Sequence, residues 1–174
     1  DNRTTINADS TGDLPSVCPS DYLLAVTSIT SDGKRAAAQG AKNIDLAAPG
    51  DFVFTTKANN RYGTEAGTSF AAPIVTGAIG LLYSNQCTLL DEMALTNPAA
   101  AALMVKNAIL KSVDTTSTLK SAVASGGYLN ILKAINNIQA SCAACASGAL
   151  SSRIFIDSIV IDGMRFRSRD NKGY

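Results

Sequence analysis

Residues 67–83 have the sequence Gly-Thr-Ser-Phe-Ala-Ala-Pro-Ile-Val-Thr-Gly-Ala-Ile-Gly-Leu-Leu-Tyr. The first glycine allows a sharp turn, and the run after it is almost wholly small or apolar. This pattern predicts a helix that is buried on all of its faces. The proline near the start costs little, because the first N–H groups of a helix have no intrahelical partner. Ser69 therefore lies at a helix N-terminus, where developing negative charge is best stabilised.

Two interpretations of Ser69 follow from this position. A serine before an apolar helix is often a simple N-cap, whose side chain accepts a backbone hydrogen bond. The longer pattern Gly67-Thr68-Ser69-x-Ala71-x-Pro73, however, resembles the nucleophile segment of the subtilisin-like serine proteases, the subtilases. The resemblance implies that Ser69 is the nucleophile that becomes acylated.

The chain contains no histidine. A serine hydroxyl at neutral pH needs a general base, and imidazole is the usual one. In the resembled family the catalytic residues follow one another as Asp, His and Ser, so the chain resembles the C-terminal part of such a domain. The Asp and His would come from a missing N-terminal part. The family's oxyanion asparagine would lie just before Asp1, and Asn2 is the less favoured alternative.

Short apolar runs surround the serine segment. Residues 22–29 and 44–50 are bounded by turn signals, which predicts two buried strands, and residues 52–63 are typical of a hairpin. Asp45 lies within the second strand and is expected to be structural rather than the acid of a catalytic triad. Asn97-Pro98 begins a further predicted helix that ends at about Leu110.

Residues 125–134 resemble the segment that closes subtilase domains, ahead of a last helix. The resemblance therefore implies an α/β, subtilisin-like three-layer fold with a mainly parallel sheet, of which this chain holds the C-terminal part. We assign residues 1–140 to the catalytic domain. Residues 141–174 are expected to be a linker, over about 141–148, and the start of a short β-rich extension with a strand over 153–161.

Four cysteines remain to be explained. Cys142 and Cys145 have C-x-x-C spacing, but a zinc site without histidine would need Cys18 and Cys87 as well, and a thioredoxin-like pair would precede a helix. The resemblance to an extracellular protease favours disulfides, with Cys142–Cys145 and Cys18–Cys87 as one of three possible pairings. A secreted or periplasmic location follows. We expect no cofactor and no metal, since no acidic loop has the ligand spacing of a calcium site.

Composition sets further limits. With 174 residues, of which 46% are hydrophobic, the chain has the size and core content of one domain. Its net charge of +1 gives no indication of nucleic acid or an anionic membrane surface as a partner. No apolar run approaches the roughly 18 residues of a membrane span.

The sequence therefore supports a serine endopeptidase that hydrolyses protein or peptide substrates through an acyl-enzyme on Ser69. Its partner would be the N-terminal half of the protease domain, in the same or a separate chain. The alternative is a non-catalytic, subtilase-like binding or structural module, which the absence of histidine favours. Because a half-sheet leaves an open edge, we expect the chain alone to be poorly soluble or to associate.

Overall fold

A computed structural model describes residues 6–145, 158–161 and 164–167 of the chain. In chain order the elements are α1 (Ala8–Thr11), β1 (Val26–Ile29), β2 (Leu46–Pro49), β3 (Val53–Lys57), β4 (Arg61–Glu65), α2 (Thr68–Tyr83), α3 (Thr88–Thr96), α4 (Pro98–Leu110), β5 (Asp114–Thr115), β6 (Gly127–Tyr128), α5 (Ile131–Cys145), β7 (Ser158–Ile161) and β8 (Met164–Arg167). Among these helices, none combines the length and the apolar character that crossing a membrane requires.

The central sheet has the strand order β1-β2-β6-β5. Strands β1 and β2 are parallel, with Val26 opposite Leu46, and β2 is parallel to β6, whereas β5 is antiparallel to β6. Leu46, Ala47 and Ala48 are completely buried, as the continuous apolar run predicts for a strand covered on both faces. The mainly parallel α/β sheet is confirmed, although both predicted strands are shorter than their apolar runs.

Different layers cover the two faces of β2. Leu46 and Ala48 belong to the larger core, which they share with buried residues of the helices α2 to α5, including Val75, Val105 and Ile138. Ala47, between them, faces the other side and packs in a second cluster with residues of α1 and of the turns near residues 119–123. The alternation of side chains along the strand thus divides the core in two.

Helix α2 corrects one expectation from the sequence. Its buried residues, Ala71, Val75, Ala78 and Leu82, form a single stripe at helical spacing. The opposite face is exposed, over residues 72–73, 76–77 and 80–81. The prediction of a helix buried all round is therefore wrong for this chain, because no segment that the structure describes covers that second face.

The helical part of the chain contains one element that the sequence did not predict. The predicted helix after Asn97 is confirmed as α4, and the expected closing helix is α5, but α3 precedes both. Its cap is Cys87, whose Sγ accepts a hydrogen bond from the Leu90 N–H at 3.3 Å. Cysteine is not among the usual N-cap residues, so the start of this helix carries no recognisable signal.

The cysteine pairing also differs from the expectation. Cys87 forms a disulfide with Cys142, with 5.5 Å between their Cα atoms, and this bond joins the start of α3 to α5. Cys18 is free and exposed. The pairing of Cys142 with Cys145 and of Cys18 with Cys87 is therefore wrong, because the packing of α3 against α5, rather than sequence spacing, brings the two sulfurs together.

The end of the catalytic segment is more helical than predicted. Helix α5 continues through Cys145, so residues 141–145 are not a linker, and residues 146–157 lie outside the described part. Strands β7 and β8 pair as an antiparallel hairpin, which agrees with the expected β-rich extension. The domain boundary at residue 140 stays a prediction.

Candidate active site

Two glycines hold the end of β2 against the start of α2. The Gly67 N–H donates to the Gly50 carbonyl at 2.7 Å. A Cβ added at Gly50 would lie 2.5 Å from the Ser28 Cβ, 2.8 Å from the Gly67 carbonyl oxygen and 3.0 Å from the Ala71 Cβ. Gly67 has a φ of 149°, a conformation that side chains rarely adopt. Backbone contact at this junction therefore fixes the turn that leads into the helix.

Ser69 is the second residue of α2, and its side chain is exposed. The helix is capped at Gly67, whose carbonyl accepts hydrogen bonds from the N–H groups of Phe70 at 3.0 Å and Ala71 at 3.3 Å. Within the described part of the chain, neither the backbone N–H nor the hydroxyl of Ser69 has a hydrogen-bond partner. The N-cap interpretation therefore does not account for this serine.

This arrangement is what a serine nucleophile requires locally. The hydroxyl is open to solvent, and a free N–H beside it points outward from the positive end of the helix dipole. Such an N–H can donate to the oxygen of a tetrahedral intermediate, which carries the negative charge that develops during acyl transfer. The general base is what the chain lacks, because it has no histidine.

The sequence also raised the possible roles of two other residues, Asp45 and Asn2. Asp45 Oδ2 accepts a hydrogen bond from the Ala25 N–H at 2.7 Å, and its backbone carbonyl accepts one from Ser125, which agrees with the expected structural role. Asn2 lies outside the described residues. In the part of the chain that the structure describes, no three Cys, Asp or Glu side chains are grouped so that they could hold a metal ion.

A cavity of about 550 Å³ lies next to the turn, and Thr68, the residue before Ser69, forms part of its wall. Val26 and Thr27 of β1, the strand at the edge of the sheet, are also among its lining residues, and so is Asp13. The sequence does not predict this cavity, since residues 1–20 have only the polar, turn-rich composition of a surface loop. No pattern in that loop indicates a binding function.

Comparison with known proteins identifies the family. Residues 2–138 match the model of the subtilase family. This chain belongs to the subtilase family. The structure of the prenylagaramide maturation protease PagA superposes with a TM-score of 0.55 and 30% sequence identity, over 72% of this chain and 45% of that one. The subtilisin-like fold expected from the sequence is therefore confirmed.

Curated relatives match over shorter segments. The subtilase is 51% identical to the major intracellular serine protease of Bacillus subtilis over 43 residues, which are 25% of this chain and 14% of that protein. It is 31% identical to subtilisin-like protease 3 of Plasmodium falciparum over 88 residues, 51% of this chain and 10% of the relative. The chain thus spans less than half the length of each of these two relatives and of the PagA structure.

Proposed function

We propose that this subtilase chain is the C-terminal part of a serine endopeptidase whose nucleophile is Ser69. The observation that carries the proposal is the position of this serine. Its hydroxyl is exposed and has no hydrogen-bond partner among the described residues. It lies on the first turn of α2, whose entry is fixed by Gly50 and Gly67. A serine held in this way is ready to attack, but it has no base of its own.

The proposed reaction is the hydrolysis of a peptide bond in a protein or peptide substrate. Ser69 Oγ would attack the scissile carbonyl while a histidine takes its proton, and an aspartate would orient that histidine. The resulting oxyanion would accept a hydrogen bond from the Ser69 N–H and from an asparagine just before Asp1. The Asp, the His and this asparagine would belong to the N-terminal half of the domain, in the same or a separate polypeptide.

Exposed apolar surface supports the participation of another half. Phe52, Phe54 and Tyr62, in and beside the β3–β4 hairpin, are 79%, 71% and 67% exposed, and Leu81 on the open face of α2 is 46% exposed. Strand β1 forms one edge of the sheet, with only β2 beside it in the strand order. A parallel sheet normally has cover on both faces and continues until an edge is protected. The N-terminal half would supply this cover.

The disulfide supports a location in an oxidising compartment. Cys87 is 2% exposed and bonded to Cys142 inside the helical core, as is typical of disulfides that stabilise secreted proteins. We therefore propose that the protein is secreted or periplasmic. The test uses chain that has been expressed in such a compartment. Its free thiols are counted by mass spectrometry before and after reduction. An increase on reduction shows that the disulfide had formed.

Labelling with a fluorophosphonate probe, followed by peptide mapping, tests the catalytic proposal. The chain is labelled alone and after mixing with the N-terminal half of its protease domain. We expect labelling of Ser69 in the mixture only, and none in a Ser69→Ala variant. Ser84→Ala, at the other end of the same helix, is the matched control and should leave labelling unchanged.

The same experiment distinguishes the alternative function. A non-catalytic binding or structural module, which the absence of histidine favours, would assemble with the other half and still not be labelled. Assembly is therefore followed by size-exclusion chromatography in parallel. Labelling of the lone chain at the rate of the mixture would overturn the requirement for a histidine base.

A further inference from the structure

The C-x-x-C pair at the end of α5 has one member in the core disulfide and one member outside it. Cys142 is bonded to Cys87, and Cys145 is the last residue of the same helix. The chain has four cysteines, and Cys18 is free in the described part, so no cysteine is left to pair with Cys145. The disulfide therefore has a further cysteine one helical turn away along the chain.

The geometry of an α-helix allows a bond between Cys142 and Cys145. Three residues of a helix rise by about 4.5 Å and rotate by about 300°, which separates the two Cα atoms by roughly 5 Å. Disulfides join Cα atoms that are about 4.4–6.8 Å apart. The existing bond between Cys87 and Cys142 spans 5.5 Å. Cys142 can thus pair with either of the other two residues without a large movement of the backbone.

The two sulfurs of the existing bond lie in different surroundings. Cys87 is buried, whereas Cys142 is half-buried. The Cys87 Sγ also accepts a hydrogen bond from the Leu90 N–H at 3.3 Å, at the start of the nine-residue helix α3. This N–H group and the positive end of the helix dipole stabilise a thiolate at Cys87. An attacking thiol therefore reaches Cys142 more readily, and Cys87 is the better leaving group.

We propose that Cys145 is an internal attacking thiol that exchanges the Cys87–Cys142 disulfide for a Cys142–Cys145 disulfide. In this step the Cys145 thiolate bonds to Cys142 Sγ, the bond from Cys142 Sγ to Cys87 Sγ breaks, and Cys87 leaves as a thiolate. The proton lost by Cys145 is balanced by one that Cys87 takes up. The number of disulfides stays the same, so the reaction needs neither an oxidant nor a reductant. It is independent of the proposed catalytic role of Ser69.

Exchange releases α3 from α5. The existing bond joins residues 55 positions apart, and it ties the start of α3 to α5 inside the larger core, beside Leu82 and Leu90. The new bond joins residues only three positions apart, so it constrains the unfolded chain much less. The exchanged chain is therefore less stable although it is equally oxidised. The three cysteines form a switch between a tethered and an untethered α3.

Peptide mapping under non-reducing conditions tests the exchange. The oxidised chain is incubated without added thiol at about pH 8, where part of a cysteine thiol is ionised, and then blocked with N-ethylmaleimide before trypsin digestion. Trypsin places Cys87 in the peptide 62–106, and Cys142 and Cys145 together in the peptide 134–153. We expect a fraction of 62–106 to be unlinked with a blocked Cys87, together with a 134–153 peptide that carries an internal disulfide.

Matched variants show which thiol attacks. Blocked Cys87 should be at least about tenfold less abundant in Cys145→Ser and in Cys145→Ala, because a thiol on the same helix acts at an effective concentration of about millimolar. Cys18→Ser, at the free and exposed cysteine, is the control and should keep the exchange.

Three results would overturn the proposal. The first is an equal amount of blocked Cys87 in the wild type and in both Cys145 variants, or its absence from all of them. The second is exchange that appears only above the urea unfolding transition, because it would then be a property of the unfolded chain. The third is a linked pair of the two peptides with a blocked Cys142, because Cys145 would then have attacked Cys87.

Discussion

Replacing Gly50 by alanine should damage the junction that positions Ser69. The new methyl group would lie 2.5 Å from the Ser28 Cβ and 2.8 Å from the Gly67 carbonyl oxygen, both closer than non-bonded atoms tolerate. Neither neighbour is the end of a flexible side chain, since one begins a buried side chain of β1 and the other is backbone. Overpacking of this kind costs about 1–3 kcal/mol, and we expect a value near the upper end.

Urea unfolding followed by far-ultraviolet circular dichroism measures this cost, since the chain has no tryptophan. With an m-value near 2 kcal/mol/M, a loss of about 3 kcal/mol moves the midpoint down by roughly 1.5 M. Gly77→Ala is the matched control, because its methyl group would meet nothing within 4 Å on the open face of α2. It should raise the free energy of unfolding by up to about 1 kcal/mol, the difference in helix propensity.

The functional consequence of Gly50→Ala is a displaced turn. The Gly67 N–H donates to the Gly50 carbonyl, so a shift at one glycine moves the entry to the helix and with it Ser69. A displacement of about 1 Å can cost on the order of 100-fold in rate. We therefore expect fluorophosphonate labelling in the assembled enzyme to slow by at least about tenfold. Stability and labelling both equal to the wild type would refute the contact argument.

Two further perturbations test the scaffold. Cys87→Ser removes a disulfide that joins residues 55 positions apart, and it should lower the free energy of unfolding in non-reducing urea by about 4 kcal/mol. Cys18→Ser, at a free cysteine, is the control and should change that free energy little. Equal losses in the two variants would contradict the pairing. Hydrogen bonds from the Lys133 ammonium and the Asn130 amide lower the pKa of Asp114 in the folded state. The ionised Asp114 carboxylate therefore contributes its full stabilisation above a pH of about 4, the pKa of an unfolded aspartate. This contribution is lost as the pH falls through the lowered pKa of the folded state. Urea midpoints measured between pH 6 and 2 should therefore fall less steeply for Asp114→Asn than for the wild type, and parallel curves would contradict this.

Much of the fold could be predicted because its signals are local. The runs at residues 22–29 and 44–50 are continuous and apolar, and such runs are typical of strands covered on both faces, as β1 and β2 are. Asn97-Pro98 marks the start of α4 through a cap and a proline at the first helical position. Helix α3 was missed because its cap is a cysteine sulfur, a residue type that rarely caps a helix.

In the candidate site, too, one residue could be predicted from the sequence and another could not. Ser69 could be predicted because glycine, hydroxyl and helix start follow one another within a few residues, so chain connectivity alone brings them together. The place of Asp13 in the same cavity lining as Thr68 could not be predicted, because it depends on how a loop far away in the sequence folds. A single carboxylate in a polar loop carries no periodicity or spacing from which a cavity could be inferred.

The sequence by itself determined the nucleophile turn, the buried strands and the lack of a histidine base, since each depends on residue types and on neighbours along the chain. Tertiary structure alone decided that Cys87 pairs with Cys142, that α2 keeps one face open, and that Asp13 and Thr68 line the same cavity. These features depend on distances between segments that are remote in sequence. Such distances are set by the packing of whole helices and loops against the sheet, which no local pattern specifies.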